Sequence, residues 1–158
     1  MDLELTPSQE NYLEHIWHLS SQGSVRLVNL ADSVGVKRPS VSRAITVLAS
    51  MGLIKHERYG GIEFTQKGYQ TAQYIVRRDQ SLKRFLTLVL HIEPKKIEEE
   101  VCRMEHAISS ELLQRIEVLE AYINAHAEVQ KELSQEMKRF TQPKIKTNMV
   151  NIGARPHV

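Results

Sequence analysis

The chain has 158 residues, of which 41% are hydrophobic and 25% charged, and its formal net charge is +2. This composition is typical of a globular protein and excludes one dominated by disorder, and no apolar run is long enough to cross a bilayer. The opening MDLELTPSQE is acidic and polar, unlike a signal peptide, so we expect a cytoplasmic protein. A net charge this small does not by itself indicate nucleic-acid binding, which must be argued from local motifs.

Three helices are predicted in the first part of the chain. Thr6 is a typical N-cap before Pro7, and the apolar spacing that follows predicts helix 1 from Pro7 to about Gln22. A short helix is predicted from Leu27 to Val34 and ends at Gly35, where the backbone needs a positive φ. A third helix begins at Arg38 or Ser40 and ends at Gly52. Two helices joined by about three residues are typical of a helix-turn-helix.

A β-hairpin is predicted directly after this motif. Residues 54–58 alternate in polarity, Gly60-Gly61 permits a tight primed turn, and the alternation resumes at Ile62 and Phe64. A hairpin at this place indicates the wing of a winged helix-turn-helix. The apolar residues of the motif are expected in its core: Val36, Val41, Ala44, Ile45, Val47 and Leu48.

Helices alone are predicted after the hairpin. A long helix runs from the Thr65 cap towards Phe85 and Leu88, and later helices cover 95–107, 110–126 and 127–140. The helix from 110 places Leu112, Leu113, Ile116, Leu119 and Ile123 at core spacing. The last helix carries only a thin stripe of Val129, Leu133, Met137 and Phe140, which suits a partner surface or a poorly buried helix.

The predicted fold is therefore mainly α with a small β-hairpin wing. A winged helix-turn-helix DNA-binding domain, residues 1–72, is followed by an all-helical metal-binding and dimerisation domain, residues 73–142, and by a flexible basic tail, residues 143–158. Proteins that read DNA with one such motif usually form homodimers, so that two recognition helices match a palindromic operator in double-stranded DNA.

The second helix of the motif should enter the major groove with its first residues towards bases and phosphates. Guanidinium and ammonium groups bind guanine or phosphate, hydroxyls bind phosphate, and a helix N-terminus attracts anions. The candidate DNA-binding residues are Lys37, Arg38, Pro39, Ser40, Ser42 and Arg43, with Arg58 and Tyr59 at the wing tip. The alternative is a winged helix that binds protein and whose basic residues are only solvated.

The segment EEEVCRMEHAIS contains the only cysteine of the chain, Cys102, with Glu105 and His106 at i+3 and i+4. A helix brings these three side chains to one face, where they could share a metal ion. A single buried cysteine beside two ordinary surface residues would give the same spacing. Two or three ligands on one helix also need partners from elsewhere in the chain.

The order of elements, together with YLEHIW, LADSVGVKRPSVSRAI, GLI, TQKG and CRMEH, resembles the DtxR/MntR family of metal-dependent transcriptional repressors over about residues 5–140. The resemblance is to the short form without an SH3-like domain. It implies a repressor of metal-uptake genes in which Cys102, Glu105 and His106 are metal ligands. The ligands that complete the site by position are Asn11 and Glu14 on helix 1 and Asp79 on the long helix.

The ligand set matches neither branch of the family. Manganese-responsive members are expected to have Asp at position 11, His at 79 and Glu at 102, whereas iron-responsive members have Met at 11 and Cys at 102. A second metal site would need His at 79 and 98 and Glu at 83, where this chain has Asp79, Glu98 and Lys83. Mixed oxygen, imidazole and thiolate ligands indicate Mn²⁺ or Fe²⁺ as cofactor, with other first-row ions open. An ion between helix 1 and the CRMEH helix would fix the hinge that sets the distance between recognition helices.

Two other kinds of regulator fit the same sequence. The helical domain could sense a small molecule, or Cys102 could sense oxidants if its thiol is exposed and reactive. An enzyme is not expected, because the sequence has no nucleophile elbow, phosphate loop or HExxH motif.

Overall fold

A computed structural model describes residues 5–56 and 60–139 of the chain. The elements are, in chain order, α1 (Pro7–Ser20), α2 (Leu27–Val34), α3 (Arg38–Ser50), β1 (Ile54–His56), β2 (Ile62–Phe64), α4 (Gln66–Arg84), a π-helical turn (Phe85–Val89), α5 (Pro94–Met104), α6 (Ser110–Ala125) and α7 (Ala127–Arg139). The predicted fold class, a mainly helical chain with a winged helix-turn-helix and a two-stranded hairpin, is confirmed.

Local sequence signals mark the start of α1 and the end of α2 as predicted. The backbone N–H of Gln9 donates to the Thr6 hydroxyl at 3.3 Å, and the Thr6 N–H donates to the Gln9 side chain at 2.9 Å, which closes a capping box on α1. Gly35 ends α2 with φ of 75°, a conformation that favours glycine. The prediction that Val36 and Val47 are core residues is wrong, since they are 37% and 42% exposed.

The hairpin is confirmed, but its predicted turn is wrong. His56 pairs with Ile62 and Ile54 with Phe64, so five residues join the strands and Gly60-Gly61 alone does not form the turn. Val25 adds a bridge to Ile62 from before α2, and the Ile62 N–H donates to the Val25 carbonyl at 2.7 Å. The predicted wing-tip residues Arg58 and Tyr59 lie outside the described residues.

The start of α4 is fixed against the hairpin. The Thr65 hydroxyl accepts the Gly68 N–H at 3.0 Å and donates to the Gly52 carbonyl at 2.7 Å. A Cβ on Gly68 would lie 1.7 Å from the Leu53 carbonyl oxygen, so only glycine permits this approach. The TQKG stretch therefore joins the wing to the long helix.

Helix α4 contributes side chains to two hydrophobic clusters. The first contains the buried side chains of α1 to α3 and the hairpin, with Ala72 and Ile75 from the first half of α4. The second contains Leu82 and Leu86 from the end of α4 and the π-helical turn, packed on residues of α5 and α6. The predicted division at residue 72 falls within α4, which thus connects the two parts as one continuous helix.

Helix α6 is less buried than the sequence suggests. Leu113, Ile116 and Ile123 of α6 are buried as predicted, but the prediction is wrong for Leu112 and Leu119, which are 49% and 45% exposed. Helix α7 contributes no buried side chain, in agreement with its thin apolar stripe. Among the described residues, no helix has the length and apolarity needed to span a bilayer.

Candidate metal centre and nucleic-acid interface

Helix α1 meets the end of α5 at Glu10. Arg78 on α4 donates two hydrogen bonds to the Glu10 carboxylate, at 3.2 and 2.7 Å. The Nδ1 atom of His106 lies 3.0 Å from Oε2 of the same carboxylate. Glu10 therefore connects the DNA-binding part to α4 and to the residues that follow α5.

Glu105 and His106 follow α5, which ends at Met104 instead of at about Ala107 as predicted. Glu105 retains right-handed helical angles, φ −59° and ψ −33°, so the two side chains still leave from one turn. His106 Nε2 lies 3.4 Å from Glu105 Oε1, and Arg78 Nη2 lies 3.9 Å from Glu105 Oε2. The imidazole of His106 thus stands between Glu10 on α1 and its own neighbour Glu105.

Charged side chains of both signs surround Glu105. Burial is the main cause that raises the pKa of this carboxyl above its ordinary value, and the charges of Asp79 and Glu14 raise it further. His106 and Arg78 lower the pKa of Glu105, but less strongly than burial raises it. The structure therefore places Glu14, Asp79 and Glu105 in one electrostatic neighbourhood, with Glu14 contributed by the DNA-binding part.

Neighbouring side chains engage two of these carboxylates. Asp79 lies 3.2 Å from the ammonium of Lys83, and the same ammonium lies 2.9 Å from Glu98 on α5. Lys83 thus joins α4 to α5 at the positions where a second metal site would need three ligands. Glu14 lies 3.7 Å from His18, one turn further along α1.

Of the six predicted metal ligands, Glu105 and His106 are in contact, and Asp79 and Glu14 are near enough for their charges to raise the pKa of Glu105. Asn11 and Cys102 are both exposed, and within the described residues neither side chain hydrogen-bonds to those four. Sequence reasoning missed Glu10 and Arg78. Glu10 and Glu14 are spaced i, i+4 on α1, a signal that could have identified Glu10, whereas nothing local connects Arg78 to residue 10.

The donor set fits a divalent first-row ion. Carboxylate oxygens and an imidazole nitrogen are ligands that Mn²⁺ and Fe²⁺ accept. Burial is the main cause of the raised pKa of Glu105, and a cation beside this carboxylate would offset that cost. As they stand, however, no three His, Cys, Asp or Glu side chains among residues 5–56 and 60–139 are arranged to hold an ion together. The types of donor atom therefore suit a divalent ion. The carboxylates themselves are in positions set by their ion pairs with Arg78 and Lys83.

The start of α3 carries the candidate DNA-binding residues. Lys37 is its N-cap, Pro39 lies in the first turn, and the first turn has no acidic residue. All six predicted residues of this segment are exposed: Lys37, Arg38, Pro39, Ser40, Ser42 and Arg43. Basic side chains beside a free helix N-terminus favour phosphate binding.

Comparison with known families divides the chain into two matched segments. Residues 4–62 match the N-terminal DNA binding domain of iron dependent repressors. Residues 65–134 match the metal binding and dimerisation domain of the same proteins. The second segment begins at Thr65, the N-cap of α4.

Two similar proteins are HTH-type transcriptional regulators. The chain is 30% identical over 139 residues to the HTH-type transcriptional regulator MntR of Bacillus velezensis, covering 87% of this chain and 97% of that one. It is 31% identical over 116 residues to an uncharacterized HTH-type transcriptional regulator of Methanocaldococcus jannaschii, covering 72% and 93%.

Solved structures give the same result. The manganese regulator SloR superposes with a TM-score of 0.64 at 27% identity, covering 75% of this chain and 55% of that chain. IdeR of T. acidophilum superposes with a TM-score of 0.59 at 26% identity, covering 73% and 54%. The chain thus spans about half the length of these solved chains. With both domains matched in order, the chain belongs to the iron-dependent repressor family, the DtxR/MntR family of metal-dependent transcriptional repressors.

Proposed function

We propose that this repressor responds to Mn²⁺ or Fe²⁺ held between α1 and the residues that follow α5, and that it controls genes for metal uptake. The observation that carries the proposal is the meeting of two parts of the chain: Glu10 of α1 lies 3.0 Å from His106, and the charge of Glu14 acts on Glu105. The relatives named for manganese and iron regulation support the choice of ions.

The residues that would hold the ion are Glu14, Asp79, Glu105 and His106, with Asn11 and Cys102 as further candidates. A divalent ion would supply two positive charges among these carboxylates. Glu14 then belongs to the DNA-binding part, whereas Glu105 and His106 belong to the dimerisation part. Shared ligands of this kind restrict the motion of α1 relative to α5, and this restriction orients the two recognition helices of a dimer for one DNA site.

The exposed apolar face of α6 supports the homodimer. Val118 and Tyr122 are 70% and 54% exposed, and Leu112 and Leu119 lie on the same side of the helix. Because residues 65–134 match a dimerisation domain, a second copy of this chain is the partner we propose for this face. A twofold dimer would present two α3 helices to a palindromic operator.

The test of metal response is the DNA affinity of the full chain with Mn²⁺, with Fe²⁺ under anaerobic conditions, and with chelator. Mn²⁺ or Fe²⁺ is expected to raise the affinity at least about tenfold, and Glu105→Gln is expected to abolish the gain. Glu99→Gln is the matched control, since Glu99 is on α5, exposed and paired with Arg103. Equal affinity in chelator and in metal would contradict the proposal.

Oxidation of Cys102 is the second candidate signal, because the thiol is exposed and free. Cys102→Ser separates it from the metal response. If the variant still responds to Mn²⁺ or Fe²⁺ and wild-type DNA binding is unchanged by peroxide, Cys102 is not a redox sensor.

A further inference from the structure

Arg78 is the most buried charged side chain at the candidate metal centre. The residue is 6% exposed, and its guanidinium contacts α1 through Glu10 and lies 3.9 Å from Glu105. Its Nε atom is buried and has no hydrogen-bond partner in the part of the chain that is described. Buried arginines usually have hydrogen-bond partners for all their N–H groups. Because Arg78 lacks one of these partners, its ion pairs hold the side chain more than complete hydrogen bonding does.

The surroundings explain why a cation is needed there. Glu10 and Glu105 both flank His106, at 3.0 and 3.4 Å, so two carboxylates face one another across its imidazole ring. Lys83 already pairs with Asp79 and Glu98. Among the residues described, Arg78 is therefore a permanently charged group that reaches both Glu10 and Glu105.

Arg78 also lies where a metal ion would have to interact. Glu105 is a candidate ligand, and Glu10 holds the neighbouring ligand His106. A guanidinium and a divalent ion cannot both sit against the same carboxylate oxygens without repulsion. Binding of one cation therefore requires the other to withdraw.

We propose that Arg78 is a resident cation that engages the carboxylates of Glu10 and Glu105 in the metal-free chain, and that a divalent ion binds beside Glu105 by displacing its guanidinium. This inference rests on the proposed metal response. Arg78 is a positioning residue. While its guanidinium engages the carboxylates, the molecule does not bind the ion, so the apparent metal affinity falls in proportion to the fraction of molecules whose carboxylates are free. Arg78 thereby sets the ion concentration at which the repressor responds.

The first experiment measures Mn²⁺ binding to the full chain by equilibrium dialysis. Arg78→Met, which removes the charge and keeps an unbranched apolar stem, is expected to bind Mn²⁺ at least about tenfold more tightly than wild type. Arg78→Lys, which keeps a cation, is expected to stay within about threefold of wild type. Arg77→Met is the matched control, since Arg77 is the adjacent residue and pairs with Glu117 away from the site.

The second experiment needs no variant that removes the charge. Zn²⁺ is diamagnetic, so the arginine Nε–H signals of the ¹⁵N-labelled wild-type chain can be followed during a Zn²⁺ titration, with Arg78→Lys identifying the signal. We expect the Arg78 signal to shift and its hydrogen to exchange at least about tenfold faster with water once the guanidinium withdraws.

The outcomes separate this inference from the proposed function. If wild type binds Mn²⁺ in a manner that Glu105→Gln abolishes, but Arg78→Met binds no more tightly or the Arg78 signal is unchanged by Zn²⁺, only the role of Arg78 is overturned. If wild type binds neither ion, the proposed metal response fails, and the role of Arg78 fails with it.

Discussion

Gly68 illustrates how one residue fixes the position of a whole helix. Its amide donates to Thr65, and its missing side chain lets the first turn of α4 approach the backbone of Leu53. The nearest atoms are backbone atoms of a buried segment, which cannot rotate away as a flexible side chain could. Packing at this point therefore determines how the wing and α4 are oriented.

We predict that Gly68→Ala lowers the free energy of unfolding by about 1–3 kcal/mol, since the added methyl group would overlap the Leu53 carbonyl and force α4 to shift. The intrinsic helix preference of alanine, about 1 kcal/mol over glycine, opposes only part of this cost. Urea unfolding at neutral pH measures it. Gln70→Ala, an exposed change in the same helix, should have little effect, and a stabilised Gly68→Ala chain would contradict the prediction.

Helices α4 and α6 are joined by arginine–glutamate pairs along their contact. Arg77 donates to Glu117 at 2.7 Å, Ser81 donates to the same carboxylate at 2.9 Å, and Arg84 donates to the buried Glu120 at 2.6 Å. These pairs lie beside the second hydrophobic cluster and fix how far one helix is shifted along the axis of the other. A buried carboxylate such as Glu120 is costly to leave without its partner.

Glu117 gives this contact a dependence on pH. The hydrogen bond from Arg77 is the main cause that lowers the pKa of Glu117 below 4.5, against a smaller opposing effect of burial. Because the unfolded chain binds the proton more tightly, Glu117 contributes stability fully above about pH 4.5, and this contribution is lost as the pH falls through the folded pKa.

We predict that Glu117→Gln flattens the acid side of the stability curve, so that the difference from wild type is largest near neutral pH and disappears at low pH. Urea unfolding between about pH 3 and pH 7 measures this. Glu111→Gln is the control, because Glu111 forms an exposed pair with Arg115 on α6, which contributes little. A constant difference across this range would show that Glu117 acts by packing alone.

Elements were predictable from sequence where the signals are local. Thr6, Gly35 and Thr65 mark helix ends by their own hydrogen bonds or backbone angles, and the structure has them at those places. The prediction of the hairpin turn was wrong because the pairing of His56 with Ile62 depends on the register of the two strands. A pair of glycines does not determine that register.

The candidate site was only partly predictable, because its contacts join distant segments. CRMEH indicates ligands by spacing, but the contact between Glu10 and Arg78 spans 68 positions and leaves no local pattern. The apolar spacing of α6 likewise does not distinguish a residue buried within the chain, such as Leu113, from an exposed one such as Leu119. Which side of a helix is covered depends on tertiary and quaternary packing.

At the scale of the whole molecule, the basic and exposed start of α3 is the DNA contact that we propose. We predict that Arg38→Ala and Arg43→Ala each weaken binding to a mixed-sequence duplex in the presence of Mn²⁺. If each side chain contacts one phosphate per subunit, the plot of log affinity against log salt should become shallower. The magnitude of its slope should decrease by about 2 for a dimer. Fluorescence anisotropy over a salt series measures both quantities.

The control for charge is Arg139→Ala, which removes an exposed arginine from α7. It should leave the salt slope within error of wild type, since long-range effects of one charge are screened at moderate salt. If Arg139→Ala reduced the slope as much as Arg38→Ala, total charge would explain the effect and the assigned interface would be wrong.

The dimer that we propose depends on the apolar side of α6. Val118 is 70% exposed, so Val118→Glu should leave the fold of one chain intact while placing a charge in the proposed dimer interface, where it would lack a partner. We predict a shift from dimer to monomer in sedimentation velocity, an unchanged far-UV circular dichroism spectrum, and a loss of DNA affinity of at least about a hundredfold, because one α3 helix then binds alone. Asn124→Glu is the control, since Asn124 is exposed on the other side of α6 and should leave the dimer intact. A Val118→Glu chain that remains dimeric would place the interface on another surface, and the distance between recognition helices would then be set by different contacts.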